Sequence, residues 1–444
     1  MFRSIRVLVS AAIVGLGLPM ASQAQIEGPN EFPDGPGKVL VQGICSACHP
    51  PTYITGSVGY TQEGWRYLFG HMINLADPVA TDLSAYLAEN FPPTGARKPK
   101  LMPGDEIVTF KEWFVPTLGQ RPRDPFMHTD GTIWWSGMYG SLVGKLDPST
   151  GEMKEYKLDP TARPHSIIEG PDGDVYYSGN SNGTIGRINP KTDEIRVYPL
   201  GNPDAKDPHT MAFAHDGSLW FTVQNSNFIG RLDPETGEVW LKHPPTERAR
   251  PYGIRVDSKG LVWIAYRGAY KILRVDPQTR EFTEFESPNY GTDPGKGHFI
   301  RRLAIDDQDN VWYVDSGLGE IGRFDQKTET FKQWPSPSGV DSHPYAIEVI
   351  DGIVWYNESD VRPDTLVRFD PKNESFQSWE IPSGIGIIRN MSKTPDGNLV
   401  IHPVNHASFV LGWNGHTVYV DPVGLAIIGK ENNDKYADAW VSQR

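Results

Sequence analysis

From about residue 105 onward one unit recurs roughly every 44 residues, and no other feature limits the possible folds so severely. Each copy runs through an apolar strand, an Asp-Gly or similar turn, an aromatic strand, a segment such as Ile229-Gly230-Arg231-Leu232-Asp233-Pro234, then Thr-Gly-Glu and a polar strand. Aromatic cores stand at Ile133-Trp134-Trp135, Val175-Tyr176-Tyr177, Leu219-Trp220-Phe221, Val262-Trp263-Ile264, Val311-Trp312-Tyr313 and Val354-Trp355-Tyr356. A weaker Leu399-Val400-Ile401 ends the series, which makes seven. Four short alternating strands per repeat form a β-propeller blade, and a closed ring of blades leaves no open sheet edge. The 45 Gly, 38 Pro and 13 Trp agree with a mainly β chain of short strands and tight turns. A seven-bladed β-propeller is therefore expected over 105–425. The spare strand Glu106 to Trp113 is expected to complete the last blade and clasp the two ends together.

Inner strands line a propeller's axis, so residues far apart in sequence converge there. Alignment on the aromatic cores puts Arg123, His165, His209, Tyr252, Arg301, Tyr345 and Arg389 at the channel mouth. Three Arg, two His and two Tyr on one axis concentrate positive charge, which suits an anionic or phenolic small molecule. Any single member is as well explained by solvation of the channel. The Asp-Pro-x-Thr-Gly turns, as at Asp147 to Gly151, are scaffold whose Pro and Gly meet the required backbone angles.

Both cysteines lie in Cys45-Ser46-Ala47-Cys48-His49. Cys-x-x-Cys-His tethers haem through two thioether bonds and supplies one axial imidazole. A thioredoxin-like pair would leave His49 unexplained, and a zinc site would need further ligands. Short helices are expected over 37–44 and 80–90, with Leu83, Tyr86 and Leu87 on one face. The arrangement resembles a small mono-haem cytochrome c over residues 35 to 93. The resemblance implies one covalent haem c held by Cys45, Cys48 and His49, with Met72 as sixth ligand. His71 competes for that position, and Met102 is a weaker candidate. A small all-α cytochrome c domain over 25–93 is thus expected before the propeller, joined to it by a Pro-rich linker at 94–104.

Residues 1–24 carry Arg3 and Arg6, an apolar run from Val7 to Met20, and Ser22-Gln23-Ala24 as a cleavage site, the pattern of a secretory signal peptide. Export to the periplasm is expected, and no segment is apolar enough to make an integral membrane protein. A net charge of −13 argues against nucleic acid as a partner and favours a basic electron-transfer partner. The polar end, 426–444, reads as a surface tail.

Pro164-His165-Ser166-Ile167, Gly170-Pro171-Asp172-Gly173, Leu219-Trp220-Phe221-Thr222 and Ile229-Gly230-Arg231-Leu232 resemble the repeats of the virginiamycin B lyase family, over nearly all of 105–415. The resemblance implies a seven-bladed propeller that opens a cyclic antibiotic by metal-assisted elimination. It also implies a His at the start of an inner strand and a Glu after the aromatic core. Here the positions after the cores are Gly137, Gly179, Val223, Tyr266, Asp315, Glu358 and Pro403, so no blade carries both residues in register. Asp315 and Glu358 are the candidate ligands of a second, divalent metal such as Mg²⁺.

The leading expectation is a periplasmic haem-linked oxidoreductase. Its substrate binds the channel mouth and its electrons leave through haem c to a periplasmic electron-transfer partner. Tyr252 or Tyr345 would exchange protons and His165 or His209 would act as general base. The alternatives are a metal-dependent C–O lyase with an appended cytochrome, and a non-catalytic electron carrier whose propeller docks a partner.

Overall fold

The computed structural model describes residues 29–47, 50–288, 299–382, 387–395, 397–401 and 411–412. In the repeat region the chain forms six four-stranded antiparallel meanders, spanning 122–157, 164–199, 208–242, 251–286, 300–335 and 344–380. Each second strand carries the aromatic core, and its side chains are fully shielded between neighbouring blades. Trp134, Trp220, Trp263, Trp312 and Trp355 are among the largest buried side chains of the molecule. Truncating one of these to Ala costs about 3–5 kcal/mol. The turn before the core also orients the indole: Trp263 donates to Asp257 at 2.8 Å and Trp312 to Asp306 at 2.9 Å.

The Gly of the Ile-Gly-Arg-Leu segment has a steric cause. A Cβ on Gly230 would lie 2.1 Å from the Phe221 ring, and one on Gly186 would lie 2.0 Å from the Tyr177 ring. The aromatic of the second strand lies across the third strand, and only a missing side chain leaves it room.

Four-stranded blades number six among the described residues, not the seven expected. The last repeat appears instead as two two-stranded ladders, Met391–Lys393 with Leu399–Ile401 and Thr109–Phe110 with Leu411–Gly412. The rest of that repeat, 402–410 and from 413 onward, lies outside the described residues. The ends of the repeat region nevertheless meet, because Thr109 pairs with Gly412 and Phe110 with Leu411. Met391–Lys393 packs against the inner strands of both the first and the sixth blade.

Before the sheets come four helices, α1 (Lys38–Ile44), α2 (Pro51–Thr55), α3 (Gln62–Met72) and α4 (Asp77–Asn90). They share a small core around Val41, Trp65, Leu68, Leu83 and Leu87. Pro at the start of α2 and α4, and the Thr61 side chain accepting from Gly64 N at 3.0 Å at the start of α3, set where they begin. None of the described helices is long and apolar enough to cross a membrane. Residues 1–24, Cys48, His49, Pro403 and the 426–444 tail lie outside the described residues.

The segment from 94 to 104 is tied to the sixth blade. Arg97 donates to the carbonyls of Asp341 and Asp360, both at 3.0 Å, and its own carbonyl accepts from Arg362 N at 2.7 Å. Met102 and Ser378 exchange two further bonds. With Gly119 N donating to the His71 carbonyl at 2.9 Å and Phe114 stacked on the His71 ring, the helices are held on the propeller face where the inner strands begin.

Candidate active site

Every inner strand of the six blades is bulged at its start. Register slips between Arg123 and Phe126, Pro164 and Ile167, Pro208 and Met211, Pro251 and Ile254, Ile300 and Leu303, and Pro344 and Ile347. Pro precedes the aligned residue in five cases, at Pro122, Pro164, Pro208, Pro251 and Pro344, and an X-Pro junction at a strand's first residue sacrifices no ladder bond. The bulge re-aims the next side chains toward the axis, a use bulges often serve beside functional sites.

The seven aligned residues meet there, all buried. Arg123 Nη1 donates to His165 Nε2. The His165 ring lies 3.8 Å from that of His209, which lies 4.2 Å from Tyr252. The Tyr252 and Tyr345 hydroxyls share a short hydrogen bond. Arg301 Nη1 and Arg389 Nη1 both donate to the Tyr345 hydroxyl, at 3.3 and 3.4 Å, and both guanidinium groups lie over its ring.

Neighbours that regular strand alternation does not place on the axis complete the hub. Arg302 binds Asp124 through both carboxylate oxygens, at 3.1 and 3.2 Å, the Arg389 carbonyl at 3.0 Å and Thr210 at 3.2 Å. Strict alternation would send either Arg301 or Arg302 into the blade, but the bulge brings both inward. Arg267 lies over Phe299, with Arg301 over the same ring, and His343 stacks on Tyr345. At the rim, Arg121 donates to the Tyr139 hydroxyl, and Tyr53 of α2 favours the charge of both Arg121 and Arg389. Tyr53 therefore brings α2 near the mouth.

The charges in this hub sort its titratable groups. Burial opposes ionisation of the Tyr345 phenol, but Arg301, Arg389, the bond to Tyr252 and Arg302 outweigh it and bring it down to about 6. Tyr252 is pushed up, by burial first and by Tyr345 second, so it keeps its proton and donates to its neighbour. Burial and the surrounding arginines hold His165, His209 and His343 well below the ordinary imidazole range, hence neutral. With Nε2 accepting from Arg123, a neutral His165 carries its proton on Nδ1. Two like groups with pKa values forced apart are the arrangement expected of an acid and base pair.

The second set of aligned positions does other work. Asp315 Oδ1 accepts from the backbone N–H groups of Phe299, Gly317 and Leu318 at 3.1 to 3.2 Å. Glu358 accepts from Ser336, Ser338 and Thr365 at 2.6 to 2.9 Å. Both carboxylates hold loops. Among the described residues no group of three His, Cys, Asp or Glu side chains is arranged to hold a metal, and the arginine-lined hub does not fit one.

On the helices, Cys45 and Met72 pack against the same core, His71 turns to Phe114 on the propeller side, and Met102 sits in the linker. Trp65 Nε1 and Ser46 Oγ are buried there with no hydrogen-bond partner among the described residues. Such donors suit the carboxylates of a porphyrin.

No curated protein matches the chain in sequence. Solved structures share its fold. The virginiamycin B lyase of Staphylococcus aureus superposes with a TM-score of 0.61 at 21% identity, covering 69% of this chain and 99% of that one. A streptogramin B lyase gives 0.61 at 20%, covering 70% and 98%. A catalytically inactive variant of the S. aureus enzyme with quinupristin gives 0.60 at 21%, covering 68% and 99%. The family model described as "Virginiamycin B lyase family" matches residues 100–361, which is more than half of the chain. The chain belongs to the virginiamycin B lyase family.

Proposed function

We propose that the chain is a lyase-type enzyme that removes a proton from an oxyanionic small molecule at the propeller hub, with Tyr345 as the base. One observation carries the reading: the buried Tyr345 hydroxyl receives Arg301, Arg389 and Tyr252 together. A phenolate poised near neutral pH matches the driving force a general base needs.

In the elimination, the phenolate takes the proton next to the substrate's carbonyl or carboxylate, and the electron pair of that C–H bond becomes the enolate. The arginines neutralise the enolate oxygen as its charge develops, which in a buried site is a large contribution. The enolate re-forms the carbonyl, a carbon–carbon double bond forms and the C–O bond on the next carbon breaks. The departing oxygen takes the proton carried on Tyr345, so no oxidant or reductant is consumed. Family membership supports elimination, whereas the hub's donor set points away from a metal.

The test is exchange of the substrate-type proton with deuterated solvent, followed by NMR across short carboxylates and their esters. The native protein is expected to exchange at least one of them, with Tyr345→Phe slower by about 10²-fold or more. Equal exchange in both proteins would remove Tyr345 from the mechanism.

A second reading is favoured by the seating of the helices on the hub. Cys45 begins the Cys-x-x-Cys-His sequence, and α2, which follows it, reaches the rim at Arg121 and Arg389. A haem c bound there would supply one-electron transfer. Cys45, Cys48, His49 and Met72 would hold it, while the hub would bind substrate and manage protons for a periplasmic oxidoreductase. Mass spectrometry of protein made in a host that matures such cytochromes tests this reading, with an added porphyrin expected and its absence removing it.

A further inference from the structure

The hub carries more positive charge than it uses. Arg302 is matched by Asp124, but Arg123, Arg267 and Arg389 face no carboxylate within ion-pair distance among the described residues. Burial and the neighbouring arginines bring Arg267 down to about 10 and Arg123 well below its ordinary value, as expected of crowded cations. Several of their donors have no acceptor among the described residues: Nε of Arg123, Nε and Nη2 of Arg267, and Nε and Nη2 of Arg389. All three side chains are at least nine-tenths buried. A buried N–H of a charged group without an acceptor costs more than a neutral one, so such a cluster is held for a ligand that completes it.

These donors fall into two groups around the hub. Arg389 and Arg123 stand on adjacent turns of the ring, and the charge of Arg389 bears on both Arg121 and Arg123. In the second group, Arg267 and Arg301 cover Phe299, and Arg301 reaches on to Tyr345. Tyr53 of α2 and the Arg97 contacts stand on the same face of the propeller.

We propose that the hub binds a short-chain dicarboxylate, one carboxylate received by Arg389 and Arg123 and the other by Arg267, with the carbon to be deprotonated between them at Tyr345. The proposal rests on the acid–base reading of the same hub and adds the substrate class. Fork-shaped guanidinium groups suit carboxylates, and two separate sets of open guanidinium donors select the dianion.

Calorimetric titration of the full-length protein tests it, using succinate and phthalate as dianions, propionate and benzoate as monoanions, and succinamide as the neutral control. Dianions are expected to bind at least tenfold tighter than monoanions, and succinamide not at all. Equal affinity for mono- and dianions would overturn the proposal without any variant being needed. Arg267→Gln is expected to reduce dianion binding to the monoanion level, and unchanged binding in this variant, folded by circular dichroism, would overturn it as well. The same titrations on Tyr345→Phe keep the two claims apart. Dianion binding that survives there while proton exchange is lost supports both, and exchange that survives there removes the base while leaving the ligand class standing.

Discussion

Asp124 and Arg302 form a matched charge pair in the hub, and their burial makes them interdependent. Asp124→Asn leaves a buried guanidinium uncompensated and is expected to lower stability by about 3–5 kcal/mol, read by urea unfolding. Replacing both by apolar residues of similar size should cost much less, and an equal loss would show that packing, not charge, is responsible. Tyr345 gives the pH dependence its sign. Folding lowers this phenol from its ordinary value near 10 to about 6, so its contribution to stability is fully present above 10 and is lost as pH falls through about 6. Activity that needs the phenolate rises over the same lower limb, and a rate profile flat from pH 5 to 8 would contradict the assignment. The seven aligned hub residues were legible in the sequence because a repeat in register marks equivalent positions. Asp124, Arg267 and Arg302 were not, since strand alternation says nothing of bulges, and Arg267 follows its strand rather than lying within it.

At the scale of elements, the glycine of the third strand is a packing requirement visible as a motif before its reason is known. Gly230→Ala drives a methyl into the Phe221 ring and is expected to cost about 1–3 kcal/mol, while Gly217→Ala, in an open turn at positive φ, acts through backbone strain alone. Thermal unfolding separates the two, and indifference to Gly230→Ala would mean that the ring has another place to go. Counting aromatic cores suggested seven blades, and among the described residues six are four-stranded while the last repeat shows two short ladders. The closing pair between Thr109–Phe110 and Leu411–Gly412 was foreseeable, because a ring with a surplus strand at one end has one place to put it. The bonds of Asp315 and Glu358 to loop groups were not legible, because alignment gives a position along a strand, whereas the loop groups that claim an oxygen come from elsewhere in the fold.

The molecule as a whole couples a helical cap to the face of a propeller whose hub is basic. Arg97 is a main fastening, exposed yet bonded to two carbonyls and near the carboxylates of Asp341 and Asp360. Arg97→Ala is expected to raise proteolytic cleavage within 94–104 several-fold while leaving the unfolding of the propeller unchanged, and unaltered cleavage would show that Phe114, Gly119 and Met102 suffice. Nothing in the sequence signalled that the cap docks on this face, because that docking depends on contacts more than 200 residues apart in the chain. The central claim is that a tyrosine ionises inside this hub. Near-ultraviolet titration of tyrosinate absorbance in the native protein and in Tyr345→Phe measures it without knowledge of the substrate. One ionisation centred near pH 6, present in the native protein and missing from the variant, is the expected result. Coincident curves that stay flat until the ordinary tyrosine range at about 10 would contradict the account.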